Sequence, residues 1–162
     1  MRQDMMNDVQ SVVSSDELAT LLIPMAVRQL VLPNVAVAEI IPFFEPRPVD
    51  NMPAWYLGTF SWRNIDIPLV SFEIINQDAK VQADGERRIA VLNGLVDSTR
   101  LPFCGLVTAG VPRLMRVASG EVARDEQSVP GPSELARVLV SGEPATIPDV
   151  DYIQQQVLNI TG

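Results

Sequence analysis

Apolar residues recur along this chain in short runs broken by Pro, Gly, Asn and Ser, not in long helical stripes. Thr20 to Met25 and Arg28 to Leu32 read as two strands joined by a bend at Ala26 and Val27. Met1 to Ser15 is polar with little periodicity and reads as a flexible tail, with Asp16 to Thr20 as a turn before the first strand. Asn34 is placed to cap a short helix over Val35 to Glu39, which Pro42 would end. Pro42 to Pro53 carries four prolines and reads as a constrained surface loop. Trp55 to Trp62 reads as a strand with Gly58 at a bend or close backbone approach. Asn64 to Asp66 would turn it into Ile67 to Phe72, where Pro68 asks for an edge or a bulge.

Asn76 to Glu86 reads as a polar loop, and Asn93-Gly94 as a turn. Arg88 to Leu92, Phe103 to Thr108, Arg113 to Val117, Leu135 to Val140 and Ala145 to Ile147 read as further strands. Ser141 to Pro144 would turn the last two together. One segment has convincing helical spacing: Val150, Ile153, Val157 and Ile160 share a face, and Asp149 and Asp151 suit its positive N-terminal end. Many short strands at regular spacing predict a sandwich or barrels, not a parallel sheet.

Composition narrows the function. The 162 residues suit one domain or two small, intimately joined ones, and 47% hydrophobic residues supply a core. Twelve basic and twenty acidic side chains give a net charge of −8. That balance argues against nucleic acid and against an anionic membrane surface. No apolar run approaches the roughly twenty residues of a spanning helix, and no secretory signal is visible. A lone cysteine, Cys104, suits a reducing cytoplasm and reads as a packed structural residue.

Histidine is absent, which removes the commonest general base, metal ligand and phosphoacceptor. Lys80 is the only lysine and no phosphate-binding loop surrounds it. No metal or cofactor is expected, and the chain reads as a non-enzymatic docking module. A carboxylate-based hydrolase and a barrel that senses a small metabolite stand as the competing readings.

Two stretches carry a resemblance to a known family. Leu21 to Pro33, followed by Val37-Ala38-Glu39-Ile40-Ile41, resembles the opening hairpin and adjoining segment of the CheW-like chemotaxis coupling proteins. Met52 to Phe72 resembles a second block of that family, with Pro53, Gly58, Arg63 and Pro68 at matching spacing. Cys104-Gly105-Leu106-Val107 and the stretch from Val140 to Val157 resemble its later strands and helix, so the resemblance covers residues 16 to 160. It implies a mainly β fold of two intertwined five-stranded barrels with a C-terminal helix, occupying 16–162 behind a tail at 1–15. It implies no catalysis and no cofactor. The expected partners are the cytoplasmic tip of a methyl-accepting chemoreceptor and the regulatory domain of a chemotaxis histidine kinase.

Residue by residue, Val37 and Glu39 fall on one contact segment of the family, and Gly58 and Arg63 on another. Arg63 would offer a fork of donors to a partner carboxylate. An exposed Val37, Ile40 or Phe44 would supply an apolar anchor. The plainer readings are a solvated Arg63 and Glu39, a structural Gly58, and Trp55 and Trp62 in the core or at a barrel rim. The chain departs from the family at Asn64, where glycine is usual, at Ser61, where asparagine is usual, and at Thr108, where aspartate is usual. These departures suggest a divergent member serving a specialised array, such as one controlling surface motility or pili.

Overall fold

The computed structural model describes residues 17–79, 81 and 85–161. The expected tail at 1–15 lies outside the described residues. Eleven strands form two sheets. The first combines β1 (Glu17–Pro24) and β2 (Gln29–Pro33) from the start of the chain with β8 (Arg113–Ala118), β9 (Val122–Arg124), β10 (Glu134–Val140) and β11 (Glu143–Pro148) from its end. Its order is β8-β1-β2-β11-β10-β9. The second holds everything between: β3 (Val37–Pro42), β4 (Tyr56–Trp62), β5 (Ile65–Val70), β6 (Arg88–Asn93) and β7 (Phe103–Val107), in the order β3-β6-β7-β5-β4. Helix α1 (Phe72–Ile75) is a single turn after β5, and α2 (Val150–Thr161) closes the described chain.

Three apolar clusters explain the patterning. Leu22 and Val31 face Val117, Val138 and Val140 inside the six-stranded half. Phe60, Trp62, Ile67, Leu69, Ile89 and Val91 fill the five-stranded half. Leu21, Ile23, Leu30 and Leu32 point the other way, into a shared central core with Ala90, Leu92, Cys104, Leu106, Ile153 and Val157. The β1–β2 hairpin is therefore buried on both faces, which is why its sequence is a continuous apolar run and not an alternation. Helix α2 lays Val150, Ile153, Val157 and Leu158 on the same core, as its spacing predicts. Asp149 caps it, accepting the Tyr152 N–H at 3.0 Å.

The mainly β architecture with a C-terminal helix is as expected, and several local readings are corrected. The helix expected over Val35 to Glu39 is a 3-10 turn at Asn34–Ala36 followed directly by β3. The β-branched Val37, Ile40 and Ile41 pair with β6 instead, a tertiary demand that overrides the cap signal of Asn34. Of the turn expected over Asp16 to Thr20, Asp16 lies outside the described residues and Glu17 to Thr20 are already strand, paired with β8. The β4–β5 turn is Arg63-Asn64, both at positive φ (50° and 63°), so Ile65 and Asp66 belong to β5. Pro68 sits in an interior strand. Pairing of β5 with β7 begins only at Leu69, and the bulge lies opposite, on β4 between Tyr56 and Gly58. Phe72 opens α1 because the Ser71 hydroxyl accepts the Ile74 N–H at 3.2 Å. Glu143 and Pro144, expected in a turn, pair with Val140 and Leu139. The first sheet has six strands where five were expected, the extra one being the three-residue β9.

Candidate functional site

The two sequence segments singled out above converge. Glu39 on β3 and Arg63 at the β4–β5 turn are 24 residues apart in the chain and meet between the two outermost strands of the sheet, β3 and β4. An Arg63 guanidinium nitrogen donates to Glu39 Oε1 at 3.1 Å, and Trp62 Nε1–H donates to Glu39 Oε2 at 3.2 Å. The guanidinium also lies over the Trp62 ring, 4.4 Å from its centroid. Trp62 is buried, with its other side edge-on to Phe103 at 4.7 Å. A rigid indole thus holds both charged groups in place. The Trp62 and Arg63 hydrogen bonds, in that order, hold the Glu39 carboxyl below its usual range against a smaller opposing effect of desolvation.

The expected docking fork is therefore already engaged with a carboxylate of its own chain. Arg63 remains two-thirds exposed. It sets a fixed cation beside a fixed anion at the surface.

Gly58 plays a different part from Arg63. It is buried on the bulge of β4 at a φ of 136°, and a β-carbon there would lie 2.1 Å from the Arg47 carbonyl oxygen. Arg47 and Thr59 exchange both backbone hydrogen bonds, at 2.8 and 3.0 Å. The close neighbour that glycine admits is thus the proline-rich loop of this same chain. Arg47 reaches on to Asp66 at 2.7 Å, tying that loop to β5.

Val37 and Ile40, expected as exposed anchors, are half-buried against the central core. Phe44 is exposed, with its ring edge-on to Phe60 at 5.6 Å. Trp55 packs partly buried on the central core. Exposed apolar side chains flank the start of β3 and the end of β6: Val35 at 81% exposure, Leu95 at 55%, and Val96. One buried side chain assembles this patch. Gln154 accepts the Leu95 N–H at 2.8 Å and donates to the Asn93 carbonyl at 2.9 Å, while Asn93 Nδ2 donates to the Val35 carbonyl at 3.0 Å. Sequence reasoning missed this patch, although a glutamine beside Ile153 on the buried face of a helix was a readable signal.

Other chemistry is thin. Cys104 is buried and its thiol is pushed up to about 12 by desolvation, so it is not a nucleophile. Among the described residues no group of three or more acidic or cysteine side chains is placed to hold a metal. Two of the acids are paired with arginines: Glu134 with Arg137 at 2.9 Å, Asp78 with Arg28 at 2.6 Å. Among the described residues no helix is long and apolar enough to cross a membrane.

The CheW-like domain family model matches residues 19–157. This chain belongs to the CheW-like family. The CheW-like fold is seen again in the scaffolding protein TtCheW from Thermoanaerobacter tengcongensis, with a TM-score of 0.67 at 13% identity over 81% of this chain and 88% of that one. No curated protein sequence matches. CheW-like proteins are a chemotaxis scaffold and adaptor family, not an enzyme family.

Proposed function

We propose that this CheW-like domain works in the cytoplasm as the coupler between a chemoreceptor's cytoplasmic tip and the regulatory domain of a chemotaxis histidine kinase. The observation that carries this reading is the meeting of Glu39 and Arg63, from two separate family segments, in one exposed ionic cluster fixed by Trp62. Fixed charges of both signs suit a partner that must be selected and oriented, since charge complementarity sets register more than raw affinity. The exposed Val35, Leu95 and Val96 suit a second partner that presents an amphipathic helix, since such a helix seeks an apolar face. The departures at Ser61, Asn64 and Thr108 favour a specialised array over the swimming apparatus.

Calorimetric titration with the cognate kinase regulatory domain tests the coupling role. Arg63→Glu places a second carboxylate against Glu39 and is expected to weaken kinase binding at least about ten-fold with the folded spectrum intact. Leu95→Asp is expected to weaken receptor binding and leave kinase binding unchanged. Absence of binding to any kinase domain or receptor tip at high micromolar concentration would overturn the proposal.

A further inference from the structure

A polar seam joins the two halves, away from the docking face. From the six-stranded half come Arg28, after the β1–β2 turn, and Glu134 and Arg137 on β10. From the five-stranded half come Glu73 on α1, then Asn76 and Asp78. Arg28 grips Asp78 through two nitrogens, at 2.6 and 3.1 Å, and reaches Glu134 at 3.4 Å. Asn76 donates to Glu134 at 3.1 Å and accepts the Ser133 N–H at 2.9 Å.

Glu73 is the member left out. It is only 4% exposed. The Ala26 backbone N–H, in the β1–β2 turn, lies close enough to draw its carboxyl pKa down, so Glu73 faces across the seam. Its Oε2 is buried with no hydrogen-bond partner among the described residues. Among the described residues the seam therefore holds three carboxylates against the two guanidiniums of Arg28 and Arg137. Among the described residues, Arg87 lines the same cavity of about 410 Å³ as Glu73 but stacks on the Phe43 ring at 3.9 Å. A buried, unpaired carboxylate is costly, and one proton removes the cost.

We propose that Glu73 is a proton-operated latch between the two halves: neutral, it completes the seam, and ionised, it loosens the contact between α1 and the β1–β2 turn. Desolvation, then repulsion from Asp78, raises its carboxyl to about 7, against the opposing pull of the Ala26 N–H and Arg28. The stability supplied by the neutral acid is complete below the unfolded value of 4.5 and is lost as pH rises through about 7.

Urea unfolding of the full chain and of Glu73→Gln, from about pH 5 to about pH 8.5, tests the latch. The wild-type folding equilibrium is expected to shift on the order of 100-fold toward the unfolded chain across that range, with most of that slope gone in Glu73→Gln. Amide exchange at Ala26, corrected for its intrinsic pH dependence, should accelerate above neutrality in the wild type alone. Should the variant fail to fold, carboxyl-carbon NMR titration of the wild-type Glu73 still decides the matter. A midpoint below about 5.5, an unchanged slope in the variant, or a variant less stable than wild type at alkaline pH would each overturn the proposal.

Discussion

At position 58 a β-carbon would lie 2.1 Å from a backbone oxygen, and the chain sits at a φ that side chains rarely adopt. Gly58→Ala is therefore expected to cost about 3 kcal/mol or more, read as a lower urea midpoint with an unchanged slope. Any loss of binding in that variant would be secondary to the detached proline-rich loop. Position 64 is milder. Asn64 already occupies the left-handed turn position that glycine usually fills in this family, and asparagine tolerates it. Asn64→Ala should cost about 1 kcal/mol and Asn64→Gly should be close to neutral, both measurable by chemical denaturation. The family departure at this site thus leaves the Arg63 geometry standing.

The elements show what pattern reading could and could not reach. Strands with an intact alternation or a bounded apolar run, such as β6 and β10, were legible, as was α2 from its four apolar positions. The stretch from Val35 to Glu39 was not, because a cap residue is a local signal while the β3–β6 ladder is a contact made about fifty residues away. Strand β9 was invisible for the opposite reason: three exposed residues carry no pattern at all. At the candidate site, Glu39 and Arg63 were singled out through the family resemblance, but their pairing with each other depends on two sheet edges meeting. Helix α2 offers a clean test at this scale. Asp149→Ala removes the acceptor for the Tyr152 N–H and should lower stability by about 1 kcal/mol, while releasing the Gln154-anchored loop only slightly.

For the whole molecule, the seam gives pH two opposing handles. Burial alone would raise the Glu134 carboxyl, but hydrogen bonds from Arg137, Asn76 and Gly131 and the charge of Arg28 outweigh it and bring it to about 2. Its contribution is complete above the unfolded value of 4.5 and is lost as pH falls through about 2. That contribution is on the order of 3 kcal/mol. Glu73 has the reverse sign, so stability should peak near about pH 5 and decline on both sides. Thermal unfolding across the pH range checks this, and Glu134→Gln should remove the acid limb of the curve.

The five-stranded half is nested between β2 and β8, and this orders events during synthesis. Strands β3 to β7 emerge together and can close before β8, β10 and β11 exist. The β1–β2 hairpin can rest Leu21, Ile23, Leu30 and Leu32 on that finished half at once. Its opposite face, Leu22 and Val31, must wait for the last strands, a delay of several seconds at roughly 5–20 residues per second. A nascent chain of this kind carries an uncovered apolar face through that interval. Stalling the ribosome after β7 should make it a chaperone substrate, and stalling after α2 should not.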